Sequence, residues 1–178
     1  RLGDRPFRKH FFNRWYWNLI SRKVYTFVCD THYIHGLLKE SGRRNDNDIV
    51  LYHPVPERIP SVSQTNLQPH NNIIFGYVGQ INESKGVKLL VKCASEICAR
   101  NSNVEFKFAG NISKNKFYTD CIEPMLNHLT DNIKNRISFM GHIEEIDSFY
   151  SSIDVHVAPS IAEEAYGLVI IEAKKNHK

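Results

Sequence analysis

Apolar and polar positions alternate along this chain with a changing period, and the changes divide it into elements. From Asn72 onward, short apolar runs are separated by amphipathic stretches. Ile73-Ile74-Phe75-Gly76-Tyr77-Val78 predicts a strand, and the stretch 86–101 predicts a helix. In that helix Val87, Leu90, Val91, Ala94, Ile97 and Cys98 recur at helical spacing and form one continuous apolar face. Residues 104–109 are the next predicted strand and 116–130 the next helix, bent at Pro124, whose ring and missing amide disturb the turn before it. A strand over 136–140, a short helix over 144–151, a strand over 154–158 and a last helix from Tyr166 to the end complete the block.

Strands alternating with helices predict βαβ units and a parallel sheet, with ligands bound in the crevice at the strands' carboxyl ends. Four strands that end on a helix make an unfinished sheet, so the chain reads as a fragment. Upstream, 24–29 reads as a strand, 31–41 as a helix stopped by Gly42, and 49–52 as another short strand. Residues 53–71 hold four prolines and several polar residues with no period, the pattern of an interdomain linker. The expected organisation is therefore the tail of a first domain over 1–52, a linker over 53–71 and a partial second domain over 72–178.

Composition narrows this picture in two places. Residues 1–44 carry ten Lys/Arg against three Asp/Glu, and the remainder thirteen against sixteen, so the net +4 divides into +7 and −3. The first segment thus differs in kind from the rest. No apolar run approaches the ~18 residues of a membrane span, and the polar, basic start at residues 1–9 is no secretory leader. Cys29, Cys93, Cys98 and Cys121 are scattered, without C-x2-C spacing, and read as reduced thiols in a cytoplasmic protein with no structural zinc.

Two stretches carry candidate chemistry. The first is the strand–loop–helix Phe75-Gly76-Tyr77-Val78-Gly79-Gln80-Ile81-Asn82-Glu83-Ser84-Lys85-Gly86. Gly79 at the strand end permits close backbone approach to a ligand. The helix opening at Gly86 points amides and a positive dipole end at the same crevice, and Lys85 supplies a cation suited to a diphosphate. By itself this loop also fits a helix start with a solvated lysine, since it is neither a Walker A loop nor GxGxxG.

The second stretch runs from Ala158 to Ala173 and holds Glu164 and Glu172 with seven residues between them, among these Gly167 at a helix start. A helical rise places the two carboxylates roughly 9–12 Å apart along the axis. That exceeds the pair spacing of a retaining glycosidase and reaches the limit of an inverting one. It suits contacts at the two ends of a long ligand, with the amides of Gly167 and Leu168 facing a diphosphate. Glu172 follows the apolar run Leu168–Ile171, so partial burial and a partner are expected.

With Phe106-Lys107-Phe108-Ala109-Gly110, Met140-Gly141-His142 and the run Asp154-Val155 to Pro159-Ser160 at the expected intervals, these stretches resemble glycosyltransferase family 4 over about residues 24–175. This is a large family of retaining sugar transferases of the two-domain GT-B type. The resemblance implies an α/β fold with a Rossmann-like parallel sheet, helices on both faces, and a C-terminal domain that binds a nucleotide-sugar. It further implies that Gly79, Gln80, Lys85 and the amides of Gly167 and Leu168 lie along the diphosphate. Glu164 would contact the donor sugar as the catalytic carboxylate, and Glu172 the ribose hydroxyls. No metal and no cofactor is implied, because the nucleotide-sugar is the substrate and a glycan or lipid-linked molecule the acceptor.

Two departures stand out. Gln80 occupies a position where many relatives carry arginine, and a neutral amide supplies no charge assistance to a phosphate. Tyr166 replaces the usual phenylalanine. With most of the acceptor domain and the end of the donor domain missing, this chain is not expected to catalyse transfer by itself. Rival readings are another GT-B enzyme, such as a sugar-nucleotide epimerase or phosphorylase, and a non-catalytic nucleotide-sugar-binding remnant.

Residues 7–23 interleave Phe11, Phe12, Trp15, Tyr16, Leu19 and Ile20 with basic side chains. The pattern fits a helix packed on the first domain and also a peripheral contact with the inner face of a membrane. Nothing accompanies the charge that would make a nucleic-acid module. His32 and His35 are spaced for one helix face but lack a third metal ligand, and Lys116, Lys134 and Arg136 read as solvated charge.

Overall fold

The computed structural model describes residues 19, 21–43, 45–54, 71–164 and 166–178. The chain divides into two compact units, Arg1–Pro56 with Ala162–Gly167, and Glu57–Ile161 with Leu168–Lys178. Most of the linker predicted over 53–71 lies outside the described residues. So does the 7–23 stretch, apart from 19 and 21–23.

In the first unit, β1 (Val28–Cys29) and β2 (Ile49–Val50) pair in parallel. They are joined through α1 (His32–Glu40). Thr31 starts α1 as a side-chain cap, its hydroxyl accepting from the Ile34 amide at 3.2 Å. Cys29, Ile34 and Leu38 form the small core. Beside it a buried ion pair is fully bonded: Arg43 Nε and Nη2 each donate at 2.8 Å to the two oxygens of Asp48. Asp48 Oδ1 also accepts from the Phe27 amide at 2.9 Å, and Arg43 reaches the Ser21 carbonyl and lies over the Phe27 ring. The fork geometry satisfies both charges out of water.

The second unit is built on a four-stranded, all-parallel sheet in the order β5-β4-β3-β6. Its strands are β3 (Ile73–Val78), β4 (Val104–Ala109), β5 (Ile137–Gly141) and β6 (Val155–His156). Side chains alternate across the pleat. On one face Tyr77, Val104, Phe106, Phe108 and Ile137 pack under α2 (Val87–Arg100), which contributes Val87, Leu90, Val91, Ala94 and Cys98. Ile97 sits at the edge of the predicted apolar stripe and is exposed. Cross-strand stacks follow the register: Phe75 on Phe106 at 5.1 Å and Phe108 on Phe139 at 4.4 Å. Such pairs add about 0.5–1.5 kcal/mol each beyond their burial. On the opposite face Ile74, Ala109 and Ile153 meet α5 (Ile146–Ser151) and α6 (Leu168–Lys175) through Phe149, Tyr150 and Ala173.

Several elements differ from the sequence-based expectation for identifiable reasons. The helix expected over 116–130 is a π turn, Tyr118–Ile122, running into the short α3 (Glu123–Asn127). Pro124 stands at the junction, and a widened turn before it removes the clash and the missing donor. A further turn of helix, α4 (Asp131–Lys134), precedes β5 and has no amphipathic signature of its own. The strand β6 is shorter than expected because Asp154 spends its carboxylate on the Ile74 amide at 2.7 Å and Pro159 has no amide to donate. Arg136 is not a solvated charge: it donates to the carbonyls of Asn101 and Cys98 and so closes the C-terminus of α2.

Candidate functional site

The strand order places a topological switch beside β3. The chain leaves β3 outward to β4 and β5, then returns to lay β6 on the other side of β3. Open parallel sheets bind ligands outside the strands' carboxyl ends at such a point. Here the loop after β3 and the loop after β6 meet there.

The loop after β3 is held by short-range bonds. The Gly79 amide donates to the Ala109 carbonyl at 3.0 Å, and the Tyr77 hydroxyl donates to the Gln80 carbonyl at 2.8 Å. Asn82 Oδ1 accepts from the Lys85 amide and from the Ser84 hydroxyl, both at 2.9 Å, a side-chain turn that stands in for backbone pairing. Gly86 then opens α2 with φ +71, and no side chain caps the helix. A Cβ at Gly86 would stand 2.0 Å from the Pro159 carbonyl oxygen, so only glycine permits this approach. The Ile161 amide completes the junction by donating to the Ser84 carbonyl at 2.9 Å. Lys85 is thereby carried, half-buried, at the mouth of α2 where the helix dipole favours an anion.

A cavity of about 760 Å³ opens beyond the tips of β3, β4 and β5, lined among others by Gly79, Gln80, Asn111, Asn115, His142 and Ile143. Asn115 ties this wall together, its amide donating to the Ile81 carbonyl at 2.8 Å. The volume lies in the range of small-molecule and cofactor sites. Gly79 and exposed Gln80 thus lie on the cavity, and Lys85 follows on the same loop.

The remaining candidates lie on two other segments. Leu168 and Glu172 are on α6; Leu168 is exposed and Glu172 half-buried. Glu172 faces the hydroxyl of Tyr150, which burial and then the nearby Glu172 charge push well above the ordinary tyrosine value. Glu164 and Gly167 belong to the segment Ala162–Gly167 of the first unit, with Glu164 half-buried and Gly167 at φ +71. That segment is held on both flanks: Tyr33 donates its hydroxyl to Glu163, and Tyr166 donates to the His53 carbonyl at 3.0 Å. Tyr166 also packs against the rings of Tyr52 and His53.

Sequence reasoning assigned no role to Tyr150, His156, Asn111 or Asn115. Asn115 and Asn111 follow β4 in a polar stretch whose only cue was its place after a predicted strand. Tyr150 and His156 gave no periodic signal pointing to the site. They meet in the fold with ring centroids 5.9 Å apart. Burial lowers the His156 imidazole below its ordinary value.

This arrangement is that of a Rossmann-like α/β domain, and the match of residues 72–177 to the model for glycosyl transferases group 1 gives it a family. The chain belongs to that glycosyltransferase family. Among curated relatives, it is 24% identical over 127 residues to the lipopolysaccharide core biosynthesis mannosyltransferase LpcC of Rhizobium leguminosarum bv. viciae, covering 71% of this chain and 35% of LpcC. It is 29% identical over 105 residues to the capsular polysaccharide biosynthesis glycosyltransferase CapM of Staphylococcus aureus, covering 59% of this chain and 26% of CapM. Among solved structures, Anabaena HepE in complex with UDP and glucose superposes with a TM-score of 0.79 at 20% identity, over 97% of this chain and 48% of HepE. A glycosyltransferase from Rickettsia africae superposes at 0.75 with 22% identity, over 95% of this chain and 47% of that one. The fold is therefore that of GT-B glycosyltransferases, of which this chain spans about half, and it spans about a third or less of these two curated relatives. Among the described residues, no helix is long and apolar enough to cross a membrane.

Proposed function

We propose that the full-length protein is a retaining, hexosyltransferase-like enzyme that moves a sugar from a nucleotide-sugar donor to a glycan or lipid-linked acceptor. In this reading residues 72–178 are the partial domain that binds the donor. Residues 1–52 are the tail of the acceptor domain and 53–71 the linker. The observation that carries the reading is the junction at the switch point, where the Lys85–Gly86 helix mouth is fastened to Pro159–Ile161 beside the cavity holding Gly79 and Gln80.

The chemistry follows from those groups. Lys85 and the amides of Gly167 and Leu168 neutralise the diphosphate as it departs, the largest protein contribution to a transfer of this kind. Glu172 accepts hydrogen bonds from the ribose hydroxyls, and Glu164 contacts the donor sugar where positive charge develops. The leaving phosphate helps to deprotonate the acceptor hydroxyl on the face that it vacates, which gives retention. UDP is the favoured nucleotide, supported by HepE, whose structure holds UDP and glucose, and by the pneumococcal O-GlcNAc transferase GtfA, whose structure holds UDP and GlcNAc. The basic, aromatic stretch 7–23 suits a cytoplasmic protein touching the inner membrane face where a lipid-linked acceptor is presented. Flotation with anionic vesicles checks this, and failure of the full-length protein to float removes the membrane contact.

Thermal-shift titration of the full-length protein with UDP, GDP and their hexose conjugates tests the whole reading, followed by product analysis of the anomeric configuration. Absence of stabilisation by any of these nucleotides, or an inverted product, refutes it. One observation favours a second reading: exposed Gln80 adds no charge to the loop that carries Lys85. A non-catalytic nucleotide-sugar-binding module would retain nucleotide affinity in the intact protein and show no turnover with any acceptor.

A further inference from the structure

Tyr150 takes no part in the donor contacts set out above, yet it heads the fully buried side chains among the described residues. It lies on α5 in the core formed by Ile74, Phe149, Ile153 and Ala173, with His156 edge-on to its ring. Phenylalanine would fill the same space. The hydroxyl is therefore a polar group taken out of water, and such groups persist when they are bonded. It donates to the Val169 carbonyl at 3.1 Å, in the first turn of α6, and it faces the Glu172 carboxylate. Val169 and Glu172 are three residues apart on α6, so the bond that fixes the Val169 carbonyl also fixes the turn of helix that carries Glu172.

On the assignment of Glu172 to the donor ribose, we infer that Tyr150 is a positioning residue that fixes the first turn of α6 and the setting of the Glu172 carboxylate. The ring is anchored by the core, and the hydroxyl passes that rigidity to a half-buried acid whose own helix exposes Leu168 and Ile170. The hydroxyl stays protonated at neutral pH, since burial and the Glu172 charge both disfavour the phenolate. His156, held neutral by burial, walls the ring without placing a cation beside the carboxylate. A carboxylate held in one orientation offers both oxygens to the two adjacent ribose hydroxyls; a loose one must be ordered on binding, at a cost in affinity.

The test uses the full-length protein as wild type, Tyr150→Phe, Glu172→Gln and the double variant. Calorimetric titration compares UDP with 2′,3′-dideoxy-UDP, and GDP with its dideoxy counterpart. Wild type is expected to prefer the ribose form by tenfold or more, on the order of one charged hydrogen bond. Glu172→Gln abolishes most of that preference, Tyr150→Phe reduces it by roughly threefold to tenfold, and the double variant loses little beyond Glu172→Gln because Tyr150 acts through the acid. A structural loss alone lowers the melting temperature, or weakens both forms equally, and leaves the ratio at its wild-type value. That outcome overturns the role of Tyr150 while the Glu172 assignment stands. An unchanged ratio in Glu172→Gln overturns the ribose assignment and this inference with it, and absence of UDP and GDP binding overturns the proposed function. Should Tyr150→Phe fold poorly, 3-fluorotyrosine at position 150 gives a second readout. Its fluorine resonance should move on UDP binding in the wild type and stay fixed in Glu172→Gln; no movement in the wild type refutes the coupling.

Discussion

Replacing Gly86 by alanine should damage stability and donor binding together, and the size of the effect follows from two separable costs. The backbone at Gly86 has φ +71, and a left-handed conformation costs a residue with a Cβ roughly 1–2 kcal/mol. The added methyl would also stand 2.0 Å from the Pro159 carbonyl oxygen, far inside contact distance and against backbone. Relief requires the loop after β6 to move away, with loss of the Ile161–Ser84 bond, and overpacking of this kind costs about 1–3 kcal/mol. The total of about 3 kcal/mol corresponds to a fall of roughly 6–12 °C in melting temperature for a domain of this size. Gly141 supplies the control. Its φ is +74, but a Cβ there meets nothing within 4 Å, so Gly141→Ala carries only the backbone cost and a fall of roughly 2–8 °C. Thermal denaturation of both variants, with UDP titration, separates the terms. If Gly86→Ala melts within about 1 °C of Gly141→Ala and binds UDP as the wild type does, the junction with Pro159 does not hold the Lys85 loop.

Three further outcomes are expected. Gln80→Arg places a second cation beside the cavity and should tighten UDP binding by about tenfold in calorimetry, with a steeper dependence on salt; unchanged affinity would take Gln80 out of the phosphate path. Asp48→Asn leaves the Arg43 guanidinium buried without its counter-ion and should cost about 3 kcal/mol, read by urea unfolding. Hydrogen bonds from Arg43 hold the Asp48 carboxyl below its ordinary value. Its contribution is therefore full above the usual carboxylate range, vanishes as pH falls through the folded-state value, and should be missing from the acid limb of the variant. Burial likewise lowers His156 below its ordinary value near 6.5, so the unfolded chain takes up that proton first. Stability from His156 is complete above about pH 6.5 and declines below it, and His156→Phe should flatten the decline in urea midpoint between pH 7.5 and 5.5.

The fold was legible in the sequence where one physical rule dominated. Phe106-Lys107-Phe108 alternates because the central strand β4 buries one face under α2, and Val87 to Cys98 repeats at helical period because α2 covers that face. Legibility failed where a tertiary partner decided. Asp154 and Pro159 trim β6 by a side-chain bond and a missing donor, Pro124 converts a predicted bend into a π turn, and Arg136 becomes a helix cap only once α2 ends beside it. The candidate loop was visible from Gly79 to Gly86, but its fastening to Pro159 was not, because a close approach between distant segments leaves no periodic trace. The hydroxyl of Tyr150 was hidden for the same reason: its meaning depends on Val169 and Glu172 arriving next to it.

The affiliation of Ala162–Gly167 with the first unit has a practical consequence for anyone dividing this protein. Severing the backbone between residues 55 and 70 does not release two self-sufficient pieces. A recombinant product starting at Asn72 keeps the six-residue insert that contains Glu164 but leaves behind Tyr33 and His53, the groups that grip its flanks. Such a truncated product would carry Glu164 on a segment without these two holds, so any assay of a role for Glu164 belongs on the joined chain.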